Sequence, residues 1–289
     1  MSTLTDLACN LAACDYAGPG QNDKESDAGL PGTPTRLRWD ACEGRELSRS
    51  DMSPNPLGFL DHLRAHGYHP RSNKHSNVLA EMIVQDLVAH CPKIHEKAAA
   101  GRIVYDVNFV LRAGTADWNV DLVLGPPEFG VGEPDPGVSI LKRSPSTVEV
   151  AIEIKSVMTE HRKAIKNRKR DLEAHHEHVH HYSNAAVAAG ALVVNASKTF
   201  KSPLRPGTTV HRDPLKLVEH CVDEMRAISV RGGTRGSGLE ARCVIVVVHD
   251  NVGLAHTQYF TRQPAPMVGD PLHYDAFVQA ICSHYSNRF

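Results

Sequence analysis

The sequence predicts an α/β fold, a mixed central sheet flanked by helices, and three observations carry that prediction. Val78, Leu79, Met82, Ile83, Leu87 and Val88 recur at helical spacing ahead of a series of short strand-like runs. A long polar helix then separates the third of these runs from a short apolar one. Cys243 to Val248 is continuously apolar, as expected of a strand covered on both faces.

Taken in order, residues 1–56 are rich in Gly, Pro, Ser, Asp and Asn and read as an irregular N-terminal arm. A domain is expected over 57–289, opening with a short helix from Leu57 to His66. Asn73 and Ser76 are candidate caps for the striped helix, and Pro92 should end it. Arg102–Val110 and Trp118–Leu124 are rich in β-branched and aromatic residues and are parted by the turn signal Gly114-Thr115. Gly125-Pro126-Pro127 opens a loop that runs through Ser146, and Thr147–Lys155 is the third strand. The polar helix spans about 160–182, and Ala189–Asn195 reads as a buried strand. A helix over 213–230 carries Pro214 in its first turn, where a missing N–H costs nothing. A strand at 242–248 and a helix at 274–285 complete the order α-β-β-β-α-β, then α-β-α.

Bulk properties exclude several classes. No run approaches the roughly 18 apolar residues of a membrane span. The N-terminus lacks the basic and apolar regions of a secretory signal. Seven cysteines are scattered without a C-x-x-C pair, which supports neither a zinc ribbon nor a redox motif and fits free thiols in the cytoplasm. The net charge of −1 selects no partner, but Arg162, Lys163, Lys166, Arg168, Lys169 and Arg170 form a dense basic run. Such a run is either a solvated helix face or a phosphate-binding one.

The chemistry concentrates at Asp121 and at Glu153-Ile154-Lys155, the two carboxylates lying 32 positions apart. Glu153 and Lys155 are two apart on a strand, so they project from one face of an otherwise apolar segment. Burying charges there is costly unless they pair or bind a metal. Two carboxylates suit Mg²⁺, which takes oxygen ligands and keeps waters for a substrate phosphate. A lysine beside them can hold the attacking water or balance developing charge.

Asp121 and Glu153-x-Lys155, with a helix before the first strand and another after the third, resemble the PD-(D/E)XK, or restriction-endonuclease-like, nuclease superfamily. The resemblance covers about 74–195, and Val120 stands where the motif's name has Pro. It implies an αβββαβ core, with 196–289 as a C-terminal extension. It implies hydrolysis of phosphodiester bonds in double-stranded DNA with Mg²⁺, Mn²⁺ being a substitute. Asp121, Glu153 and Ile154 would hold the metal, Lys155 would assist the water, and Glu81 on the preceding helix is the candidate supporting carboxylate. Glu81 could equally be an exposed helix position. Lys163, Lys166, Arg168 and Arg170 become candidates for contacts to the DNA backbone. A restriction or anti-phage role and a homodimer or higher homo-oligomer follow by analogy. The rivals are a repair or recombination nuclease, a catalytically silent nuclease-fold protein that binds nucleic acid, and an unrelated binding protein with a chance motif.

Other motifs fail letter by letter. His175, His176, His178, His180 and His181 miss the H-E-x-x-H zinc spacing, leaving a solvent-facing polar helix or an accessory role beside the site. The loop from Arg231 to Gly238 lacks the nucleotide-binding P-loop pattern, and no nucleophile-elbow motif is present. Asp106 reads as an acid on a polar strand face near solvent, or as a supporting carboxylate.

Overall fold

A computed structural model describes residues 57–113, 116–129, 132, 134, 138–159 and 161–289. The expected N-terminal arm, 1–56, lies outside the described residues. In chain order the main elements are α1 (Leu57–His66), α2 (Lys74–His90), α3 (Pro92–Ala99), β1 (Val104–Ala113), β2 (Ala116–Gly125), β3 (Leu141–Lys142), β4 (Val150–Val157), α4 (His161–Tyr182) and β5 (Val187–Asn195). β6 (Thr199–Phe200), β7 (Thr209–Val210), α5 (Pro214–Arg226), β8 (Ala241–Val248), β9 (Gln258–Tyr259) and α6 (Tyr274–Arg288) follow. Among the described residues, six helices flank a seven-stranded mixed sheet of order β3-β1-β2-β4-β5-β8-β9. Pairing is parallel for β1/β3, β4/β5 and β5/β8, and antiparallel elsewhere in that sheet.

The layers follow from alternation along the strands. Ile152 and Ile154 of β4 join Leu79, Ile83 and Leu87 of α2 and Phe277 and Ile281 of α6 in one core. Ala151 and Val157 face the other way, toward Ile165, Leu172 and Val179 of α4 and Val218 and Cys221 of α5. Every residue of β5 is buried, as a central strand covered on both sides requires. Gly190 on β5 sits beside Glu153 in register. A Cβ there would come within 2.9 Å of Leu172 Cδ2, so the glycine lets α4 pack close to the sheet at Glu153.

Sequence signals placed most elements, and the differences have local causes. Pro92 does end α2, but it also starts α3, since a proline fits the first helical turn. Asn73 stands at the N-cap position of α2 without a side-chain cap bond. Its amide is used elsewhere, donating from Nδ2 to Asn108 Oδ1 at 3.0 Å. The loop expected over 125–146 contains β3, a two-residue edge strand on β1. α5 begins as expected, with Asp213 accepting from the Lys216 N–H at 3.1 Å and Pro214 in the first turn. Among the described residues, Cys91, Cys221, Cys243 and Cys282 are free thiols, and no helix is long and apolar enough to cross a membrane.

Candidate active site at the parting of β2 and β4

The β2–β4 ladder runs from Leu124↔Val150 to Leu122↔Ile152 and stops. Its next rung would pair Asp121 with Glu153. β4 continues beyond this point, paired on its other edge with β5 as far as Val157↔Val194. The freed N–H of Ile154 donates instead to Asp121 Oδ2 at 2.8 Å. The strands therefore separate where the two carboxylates stand, and a side chain replaces the lost ladder bond.

The separation has a visible cause. Val120 and Leu122 are two apart, yet Val120 packs in the α4-side core and Leu122 in the opposite one. On β1, Val107 and Phe109 divide between the cores in the same way. Between them Asn108 has φ +54°, a left-handed conformation that Asn tolerates better than most residues. Its side chain is clamped by α2: Asn73 Nδ2 donates to Asn108 Oδ1, and Asn108 Nδ2 donates to Asn77 Oδ1, both at 3.0 Å. Both strands thus kink on one rung, and the outer hairpin swings toward α4. There Trp118 stacks on His178 with ring centroids 4.5 Å apart.

Glu153 is almost fully buried, at 2% exposure. Lys155 makes an ion pair with its Oε1. Its Oε2 is sealed from solvent and has no hydrogen-bond partner. Burial pushes the Glu153 carboxyl up to about 7, the neighbouring Asp121 charge adds to the rise, and Lys155 opposes it. Asp121 is also raised by burial, against the pull of the Ile154 N–H and Lys155. Two carboxylates that resist ionising together need a cation or a proton between them.

His175 is the neighbour that sequence reasoning did not assign. It is fully buried on α4, with Nδ1 3.8 Å from Glu153 Oε2 and Nε2 3.3 Å from the Ala151 carbonyl. A carbonyl only accepts, so Nε2 carries the hydrogen and Nδ1 presents its lone pair toward Glu153. Burial lowers the His175 pKa to about 3, which keeps the ring neutral. The solvent-facing reading of this histidine cluster fails here. His175 and His176 are buried, His178 stacks on Trp118, and His180 Nε2 lies 3.1 Å from Glu240 Oε2. The usable signal was periodic: Ile165, Leu172 and Val179 mark the buried face of α4, and 175–176 fall midway between the last two.

The remaining candidates divide. Glu81 accepts from Lys142 Nζ at 2.8 Å and is 40% exposed, at the β1–β3 edge rather than beside Asp121. Asn77 and Asn73, one and two turns earlier on the chain, are the residues that meet the Asp121 rung through Asn108. Arg168 pairs with Asp171 at 3.1 Å and shares a cavity with Lys155 and Ser156. Lys166 lines a different surface, with Lys216 and Glu219 of α5. Lys163 and Arg170 are exposed on α4. Asp106 accepts from the Ser144 hydroxyl and, at 2.9 Å, from the Val107 N–H, which makes it a loop anchor.

The donor set fits a divalent cation. Glu153 supplies an unpartnered buried oxygen, and Asp121 stands on the same rung of β2. Among the described residues no group of three or more His, Cys, Asp and Glu side chains converges into a cage. A hard cation bound through one or two carboxylates, with waters and phosphate completing its shell, has that donor pattern.

No protein-family model, curated protein or solved structure matches this chain.

Proposed function

We propose that the protein is a metal-dependent DNA endonuclease with the αβββαβ core of the PD-(D/E)XK superfamily. One observation carries this reading: the buried Glu153 and the part-buried Asp121 stand on the rung where β2 leaves β4, and Glu153 holds a lysine on one oxygen and nothing on the other. Asp121 and Glu153 would hold Mg²⁺ or Mn²⁺. Ile154 could contribute only through its main chain, because its side chain lies in the opposite core. When bound, the cation would acidify a water and neutralise charge on the attacked phosphate.

The chain's own groups do the rest. Lys155, tethered to Glu153, is placed to hold the water or to balance charge on the phosphate. His175 backs Glu153 from α4, with Nδ1 3.8 Å from the unpartnered carboxylate oxygen. Arg168 adds a cation on the same side of β4 as the Lys155 cavity. Cutting both strands of a duplex calls for two such sites, so twofold association belongs to this reading. A restriction or other defence role is its biological form.

The test is incubation of unmodified plasmid with Mg²⁺ or Mn²⁺, with Lys155→Ala as the control. Discrete fragments lost in the variant are expected. Cleavage that survives in Lys155→Ala would remove the assignment.

A further inference from the structure

Beside Lys155 lies a cavity of about 290 Å³, between the segment that joins α1 to α2 and the C-terminal end of β4. Ligand cavities begin at about this size. Phe59, Leu79, Met158 and Val193 line it and are themselves buried, which gives it an apolar floor. Arg71, Lys155 and Arg168 line it and no carboxylate does, although Lys155 is engaged by Glu153 and Arg168 by Asp171 at 3.1 Å from outside the cavity. One wall is preformed. Tyr68 is held through its backbone by Asn251, which accepts from the Tyr68 N–H at 2.8 Å and donates to its carbonyl at 3.0 Å. The Tyr68 hydroxyl is 2.6 Å from Ser156 Oγ, and its ring lies 4.4 Å from that of His75. Burial brings His75 down to about 4, so that ring is neutral and adds aromatic surface rather than charge.

An inorganic anion needs no apolar floor, and an apolar ligand needs no ring of cations. A nucleotide uses both, because its base has an apolar face and its phosphate is anionic. We propose that this cavity takes one nucleoside 5′-monophosphate unit, its base toward the floor and its phosphate between Arg71 and Arg168. The proposal deepens the nuclease reading by naming what sits next to Lys155. A base can enter only when it is unpaired, so the preferred substrate would be single-stranded or opened at that nucleotide. The same chemistry serves an unpaired unit of a strand or a free mononucleotide.

Calorimetry on the full chain, without divalent metal, tests this separately from cleavage. The probes are deoxyadenosine monophosphate, deoxyadenosine and inorganic phosphate. The mononucleotide should bind at least tenfold more tightly than either fragment, and Arg71→Ala and Arg168→Ala should each weaken it about tenfold or more. A short single strand that competes with the mononucleotide marks the pocket as a strand site; a strand that does not compete marks it as a site for free nucleotide. Arg71 is exposed, so its variant should fold even if Arg168→Ala does not. Mononucleotide binding no tighter than that of phosphate, or binding unchanged in Arg71→Ala, overturns the proposal. Intact cleavage alongside either result would leave the nuclease reading standing, and nucleotide binding without any cleavage would do the reverse.

Discussion

Nδ1 of His175 and Oε2 of Glu153 lie 3.8 Å apart, both sealed from solvent and neither with a hydrogen-bond partner. Two acceptors face each other across a gap too long for a direct bond. A proton on Glu153, or a cation drawing its carboxylate, resolves the conflict. His175 is thus a positioning residue that acts through Glu153. His175→Ala should weaken Mn²⁺ binding about tenfold by calorimetry, since partners behind a ligand commonly carry that much. His175→Gln, which restores a polar group, should recover part of the loss. Equal affinities in all three proteins would end this assignment.

Lys155→Ala should abolish plasmid cleavage while DNA binding, followed by mobility shift in Ca²⁺, changes less than about fivefold. The lysine is engaged by Glu153 and offers little free charge to the ground-state complex. A variant that loses binding and cleavage in parallel would make Lys155 a binding residue only.

The raised Glu153 carboxyl makes a signed prediction about stability. Its folded pKa, about 7, lies above the ordinary carboxylate value of 4.5, so the folded state takes up protons that the unfolded chain does not. That stabilisation is complete below about pH 4.5 and is lost as pH rises through 7. Without metal, Glu153→Gln should melt higher than the parent at pH 8, with a gain on the order of 1–3 kcal/mol. The gain should shrink toward pH 5. Thermal melts of both proteins over that range are the check, and a gain independent of pH would refute the burial argument.

Glu240 has the opposite sign. It is fully buried as a side chain, yet His180, the Ala188 N–H at 2.8 Å and Arg288 at 2.9 Å outweigh burial and lower its pKa. Arg231 adds a contact at 3.2 Å. The stability it supplies is present above about pH 4.5 and is lost as pH falls through its depressed folded value. Glu240→Ala leaves Arg231 buried without its carboxylate and should cost roughly 3–5 kcal/mol. Chemical denaturation at pH 7 measures this, and a loss under 1 kcal/mol would show the cluster to be dispensable.

Glu81 separates two versions of the site. Its partner is Lys142 on the sheet edge, so Glu81→Ala should leave Mn²⁺ affinity within about twofold of the parent. Surface pairs of this kind contribute only about 0–1 kcal/mol, and the fold should persist. A tenfold loss of metal affinity would return Glu81 to the centre.

The sequence by itself determined the five long strands, the three polar residues placed on them and the face that Glu153 and Lys155 share. Alternation and apolar periodicity are local properties, and Asp121, Glu153 and Lys155 stand out because each interrupts an apolar segment. It also marked α4, although the histidines on its buried face looked solvent-exposed, since a polar letter does not show what packs over it. Only the tertiary structure decided that β2 parts from β4 at the Asp121 rung, that Asn108 turns left-handed under the grip of Asn73 and Asn77, and that Gly190 admits α4 close enough for His175 to face Glu153. It likewise turned Arg168 toward the cavity by Lys155 and left Glu81 with Lys142. Those outcomes depend on contacts between residues dozens of positions apart. They are set by register, kink and packing distance, which a linear pattern of residue types does not contain.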